Sequence, residues 1–206
     1  MLPADPVSLR RRPGDHRRLV AAAAAVMFLV VACSGEAPAP TGSFTTTPPA
    51  VGRCAGKLQD QALAAYTPPS RIFTLAVPRH WTRTRIPDGI AFTHRLESIK
   101  LEQVPYGSPS TTASFRTNEL PGLRQATPGF RLRGIDAVAL PAGPAVLAQY
   151  AETVADGPTG AAVERDVQRY ELWHADQRMV ITLASPCEDD AAPLWRRITE
   201  SFRWRR

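Results

Sequence analysis

Hydrophobic and polar positions divide the chain into three regimes. Leu19 to Ala32 form an unbroken apolar run, Ser34 to Gly52 are dominated by Ser, Thr, Pro, Ala and Gly, and from Arg71 onward the pattern becomes periodic. In Arg71 to Val77, Ile72, Thr74 and Ala76 alternate with Phe73, Leu75 and Val77. That period of two, in a segment rich in β-branched and aromatic residues, predicts a first strand, which the following "PRHW" ends. Ile90 to Thr93 and Ile99 to Val104 predict two further short strands in a meander. Longer β segments follow at Phe130 to Leu140, Ala145 to Val154 and Val163 to His174, and the turn-rich "ADGPTGA" makes the last two an antiparallel hairpin. Arg178 to Ser185, reached through a tight "HADQ" turn, is apolar on both faces apart from Thr182. A strand of that kind belongs at the centre of a sheet.

Three segments predict helices. Cys54 to Tyr66 contains helix formers and stops before Pro68 and Pro69. Ser110 to Leu120 has Ser110 as its N-cap and Pro121-Gly122 to close or kink it. The third is the clearest: Asp190 caps it, Pro193 falls in the first turn, and Ala191, Leu194, Trp195, Ile198 and Phe202 repeat along one face. Trp195 is therefore read as a core anchor, while Arg196, Arg197, Glu200 and Arg203 form the solvated face.

The apolar run changes meaning when its flank is included. Arg10, Arg11, Arg12, Arg17 and Arg18 precede it, against Asp5 and Asp15. A basic segment followed by an apolar one too short to span a bilayer, which needs ~20 residues, reads as a targeting signal over residues 1–32. Val30, Val31, Ala32 and Cys33 resemble the lipobox of bacterial lipoproteins. That resemblance implies cleavage between Ala32 and Cys33 and a lipid on the Cys33 thiol. The alternative, a buried helix that happens to end in Ala-Cys, fits poorly with the basic flank and with the spacer that follows. Residues 33–53 have the composition of an extended linker that cannot bury enough surface to offset its ordering entropy. Arg17-Arg18 lacks the surrounding residues of a twin-arginine motif and is read as ordinary signal charge. The expected location is the extracytoplasmic face of a membrane, with the lipid as anchor.

Cysteine number is informative in such a protein. Of the three cysteines, assigning Cys33 to lipid leaves Cys54 and Cys187, which can pair in an oxidising compartment or stay as two buried thiols. The chain has 23 arginines against two lysines, Lys57 and Lys100, and Asn118 is its single asparagine. That skew points to a GC-rich genome and, with the lipobox, to an actinobacterium. The net charge of +6 falls to +3 once the signal is removed, too mild to point to nucleic acid as a partner. Residues 54–206 suit one globular domain.

Four stretches carry a further resemblance: "FTLAVPRHW" (Phe73 to Trp81), "TPGFRLRGIDAV" (Thr127 to Val138), "YELWHADQRMVITLASP" (Tyr170 to Pro186) and "APLWRRITESFRW" (Ala192 to Trp204). Together they resemble the small exported lipoproteins of actinobacteria with a PsbP-like domain, the LpqN-like group of mycobacteria, over about residues 71–204. The resemblance implies an α+β fold in which an antiparallel sheet is packed between helices, an α/β/α sandwich. "PRHW" stands where that group has a Pro-x-Gly-Trp turn, and Cys187 is outside its usual pattern.

Chemistry has little to stand on. His80, His94 and His174 occur in no metal-ligand spacing, and there is no GxSxG or phosphate-binding glycine loop, so neither a metal nor a cofactor is expected. A Ser/His/Asp set assembled from distant positions stays open to any sequence. Glu188, Asp189 and Asp190 read as complements to a helix N-terminus rather than as a calcium site. Two binding functions are expected in preference to catalysis. One is an accessory module that docks on a protein of the cell envelope, and the other is a carrier with a groove for a lipid or glycolipid. Trp81 and Trp173 are the candidates to line such a groove.

Overall fold

The computed structural model describes residues 58–105, 108–157, 160–186 and 188–205. Ala32, Cys33, Cys54 and Cys187 lie outside the described residues, and with them the expected cleavage, lipid attachment and disulfide. Among the described residues, no helix is long and apolar enough to cross a membrane.

The strands are β1 (Leu63–Tyr66), β2 (Phe73–Pro78), β3 (Thr82–Ile86), β4 (Gly89–His94), β5 (Glu97–Pro105), β6 (Arg131–Leu140), β7 (Gly143–Asp156), β8 (Ala161–His174), β9 (Gln177–Ser185) and β10 (Arg203–Trp204). Seven of them form one antiparallel sheet in the order β3-β4-β5-β9-β8-β7-β6. β9 is its central strand, as its apolar faces predict. A small sheet, β1-β2-β10, lies against one face of the large one, and their side chains share a single core. The β7–β8 hairpin forms as expected, in a continuous register from Ala145↔Leu172 to Asp156↔Ala161. The β8–β9 turn places Ala175 and Asp176 at φ 44° and 62°. Two consecutive left-handed residues make a turn whose twist matches the strands it joins.

Helix α3 (Glu188–Ser201) buries the predicted stripe: Ala191, Leu194, Ile198 and Phe202 are wholly enclosed, and Trp195 nearly so. They pack with Leu172, Met179, Ile181 and Leu183 of the large sheet and with Phe73 and Leu75 of the small one. The helix begins at Glu188, so Asp190 is inside its first turn rather than at the cap, and Pro193 sits further in than expected. On the opposite face lies a helical segment made of α1 (Thr112–Ser114), a π turn (Phe115–Glu119) and α2 (Leu120–Ala126). Phe115 anchors it on Ile135, Val146 and Ala148. The arrangement is the expected α+β fold with an antiparallel sheet between helices.

Three local expectations are corrected, and one strand, β3, was not among those expected. Residues 54–66 do not form a helix where they are described: Leu58–Asp60 make one 3₁₀ turn and Leu63–Tyr66 make β1, because pairing with β2 outweighs the helix propensity of Ala64 and Ala65. The N-cap of α1 is Thr111, which closes a reciprocal capping box with Ser114, while Ser110 directs its hydroxyl elsewhere. Pro121 does not end the helix. It falls at the start of α2, where the π turn has already shifted the hydrogen-bond pattern. β3, "TRTRI", carries no apolar period and is a strand all the same.

Candidate functional site

A groove of about 680 Å³ lies between the β1–β2 connection and the β3–β4 hairpin. Its floor is apolar, formed by Phe73, Ile90, Leu101 and Met179 from four different strands, with Tyr66 at one side. All five are buried members of the main core, so the floor is rigid. Pro68, Pro69 and Ser70 make one wall, held by a turn in which Arg71 N–H donates to Pro68 C=O at 2.9 Å. Arg83, Arg85 and Ile86, followed by Pro87 and Asp88, make the other.

Two local features fix that second wall. An ideal Cβ on Gly89 would lie 1.8 Å from the carbonyl oxygen of Leu101, so only glycine permits β4 to approach β5 this closely. The Gln103 N–H donates to Asp88 C=O at 2.9 Å, tying the hairpin turn to β5. The Arg83 guanidinium rests 4.9 Å above the Tyr66 ring. Arg85 is exposed and makes no ion pair among the described residues. The rim is therefore positively charged over an apolar floor, with Asp88 as the carboxylate at its turn.

The two tryptophans expected at a groove are elsewhere. Trp81 is 7% exposed, belongs to the core, and has its indole stacked on His94 at 6.1 Å. Trp173 is half-buried on β8, and neither residue lines the groove. The aromatic members of the groove are instead Tyr66 and Phe73. Phe73 showed only ordinary strand alternation, which does not distinguish a floor from a core, and Tyr66 fell at the end of a segment that reads as a helix.

The other face of the sheet carries a polar network. Glu171 has no solvent-exposed side-chain surface and is flanked by Arg169 at 3.3 Å and Arg178 at 3.7 Å. Arg169 also approaches Glu102 at 3.8 Å, and Arg178 pairs with Glu119 at 2.8 Å. The Ser110 hydroxyl donates to Glu171 at 2.7 Å, which fastens the start of the helical segment to β8. Burial pushes the Tyr150 hydroxyl in this layer up to about 12, with Arg169 acting in the opposite direction. Burial raises Tyr170 as well. The network is not complete, since the Nε atoms of Arg169 and Arg178 are buried without a partner, and the Glu171 carboxylate that accepts from Ser110 is itself held between two arginines, which weakens it as a base.

None of the three described histidines joins either site. His80 is exposed after β2, His94 is stacked on Trp81, and His174 stacks on Trp204 at 5.4 Å. No group of His, Cys, Asp and Glu suited to a metal ion occurs among the described residues.

No protein-family model matches the sequence, and no curated protein does so either. Solved structures do match. The chain superposes on the solution structure of cyanobacterial PsbP (CyanoP) from Synechocystis with a TM-score of 0.54 and 13% identity, covering 70% of this chain and 94% of that one. The fold is PsbP-like. Weaker likenesses include the Ran-binding protein Mog1p of Saccharomyces cerevisiae, with a TM-score of 0.47 and 16% identity over 69% of this chain and 95% of that one. LpqN of Mycobacterium tuberculosis, described as involved in cell envelope biogenesis, has a TM-score of 0.44 and 16% identity over 71% of this chain and 92% of that one. On the PsbP-like frame, the groove is the joint between the small sheet and the large one.

Proposed function

We propose that this chain is a lipid-tethered, extracytoplasmic accessory protein of the cell envelope that acts by binding a protein partner and performs no catalysis. The observation that carries the reading is the groove: a rigid apolar floor beneath an arginine rim, built from residues with no acid–base or nucleophilic arrangement. The signal-like residues 1–32 and the lipobox-like Val30 to Cys33 support the tether, and the linker composition of residues 33–53 would hold the domain off the membrane. Cys33→Ala tests the anchor. The variant is expected in the soluble fraction or as an uncleaved precursor, and unchanged membrane retention of a processed chain would refute it.

A second reading has one observation in its favour. A volume of about 680 Å³ falls within the range of ~300–1,000 Å³ that small-molecule sites occupy, so the same groove could carry a lipid or glycolipid. Native mass spectrometry of the chain extracted from its own membrane separates the two. A stoichiometric lipid beyond the anchor would favour the carrier, and a lipid-free chain holding a protein would favour the accessory module.

A further inference from the structure

The arginines of the large sheet fall into two groups. On β6, β8 and β9, Arg131 pairs with Glu164, Arg133 with Asp166, Arg165 with Glu152, Arg169 with Glu171 and Arg178 with Glu119. On β3, neither Arg83 nor Arg85 has a carboxylate partner among the described residues, although both border the groove. β3 is also an end strand, hydrogen-bonded to β4 alone among the described residues. The opposite end of the sheet is managed differently: β6 is bulged between Leu132 and Gly134 and has the helical segment packed against it. β3 has no proline and no bulge, and four of its five residues are exposed.

Register sharpens the point. Ile86 pairs with Gly89 across the two-residue loop Pro87-Asp88, which closes the hairpin with a hydrogen-bonded pair. Alternation along an antiparallel ladder then turns the backbone N–H and C=O of Arg83 and Arg85 away from β4. The two arginines of β3 without a carboxylate partner among the described residues are thus the two with outward-facing peptide groups.

We propose that the β3 edge is a docking strand for an extended acidic segment of a protein partner, added as an eighth strand to the sheet. This deepens the accessory-module reading and rests on it. Main-chain hydrogen bonds at Arg83 and Arg85 supply the pairing. Carboxylates spaced at i and i+2 on the partner fall opposite the two guanidinium groups, since that is the side-chain period on one face of a strand. An apolar residue beyond them reaches the groove floor at Ile90 and Phe73. Opposite charge at adjacent strands adds to affinity and fixes the register.

The test uses the full chain in detergent and a short fluorescent peptide alternating glutamate with valine, read by anisotropy. Binding is expected, and the same peptide with lysine for glutamate should not bind. R83E/R85E should weaken binding roughly tenfold or more, the loss expected for two exposed ion pairs turned repulsive. The deciding comparison is R85Q with R85P. Both remove the charge, but only the proline removes an outward N–H, and an edge strand tolerates it without loss of the β4 ladder. R85P should bind at least about fivefold more weakly than R85Q, the effect of one main-chain hydrogen bond. Equal binding by R85P and R85Q, equal binding of the lysine peptide, or no binding at all would each overturn the proposal. Binding of the chain to anionic vesicles, lost in R83E/R85E but kept in R85P, would assign the arginines to a lipid surface instead. If a native protein partner is captured and its binding is indifferent to R85P, the edge proposal fails while the accessory-module reading stands.

Discussion

Ser110 and Glu171 are joined by a hydrogen bond of 2.7 Å across 61 positions of sequence. The acceptor is a carboxylate with no exposed surface, and two arginines stand beside it. Removing that carboxylate leaves Arg169 only its longer contact with Glu102 and Arg178 only Glu119, with both arginines largely buried, and takes the acceptor from Ser110. Glu171→Ala is therefore expected to cost about 3 kcal/mol or more, whereas Ser110→Ala should cost about 1–2 kcal/mol. Urea unfolding midpoints at matched m-values measure both, and a Glu171→Ala cost below that of Ser110→Ala would contradict the arrangement.

Gly89→Ala tests the close approach that shapes the groove. The added methyl would meet the Leu101 carbonyl, which is backbone and cannot swing aside, so β4 must shift. The expected loss is about 2–3 kcal/mol, at the upper end of overpacking costs, together with weakened groove binding. Gly122→Ala is the control, because nothing lies within 4 Å of its Cβ position. Within α2 that change should be neutral or should stabilise by up to about 1 kcal/mol.

Tyr150 gives the fold an alkaline limit. Its hydroxyl ionises at about 12 in the folded chain and at 10.0 when unfolded. Below the lower value the proton is on in both states, so the full stability is present. Between the two values the unfolded chain loses the proton first, and stability falls by up to about 1.4 kcal/mol per pH unit. Denaturation monitored across this window, with tyrosinate absorbance as the titration signal, should show the decline in the wild type and a shallower one in Tyr150→Phe. An identical slope in the variant would remove Tyr150 as the cause.

The sequence made legible whatever alternates against a buried face. β2, β7, β8 and the stripe of α3 were readable because each buries one set of side chains, and β9 because its apolar residues fill both faces. β3 was not, since a strand exposed on both faces has no apolar period to display. β1 was misread because its Ala-rich segment favours a helix until β2 is beside it. The groove was illegible for a different reason. Its floor is drawn from β2, β4, β5 and β9, and the residues that distinguish it, Arg83 and Arg85, look like any solvated arginines until their lack of carboxylate partners among the described residues is seen in space. Trp81 and Trp173 drew attention by size alone, and packing took Trp81 into the core.

The central position of β9 also governs when the domain can come into being. β3, β4 and β5 form one meander and β6, β7 and β8 another, and these two halves of the sheet meet only through β9. A chain emerging in order from its N-terminus has both meanders in hand while the strand that joins them is still missing. α3, which covers the shared core, comes later still. Closure thus depends on contacts between distant parts of the chain, such as Ser98↔Ala184, a topology that folds slowly. The same delay leaves a nascent chain threadable until β9 and α3 have been made.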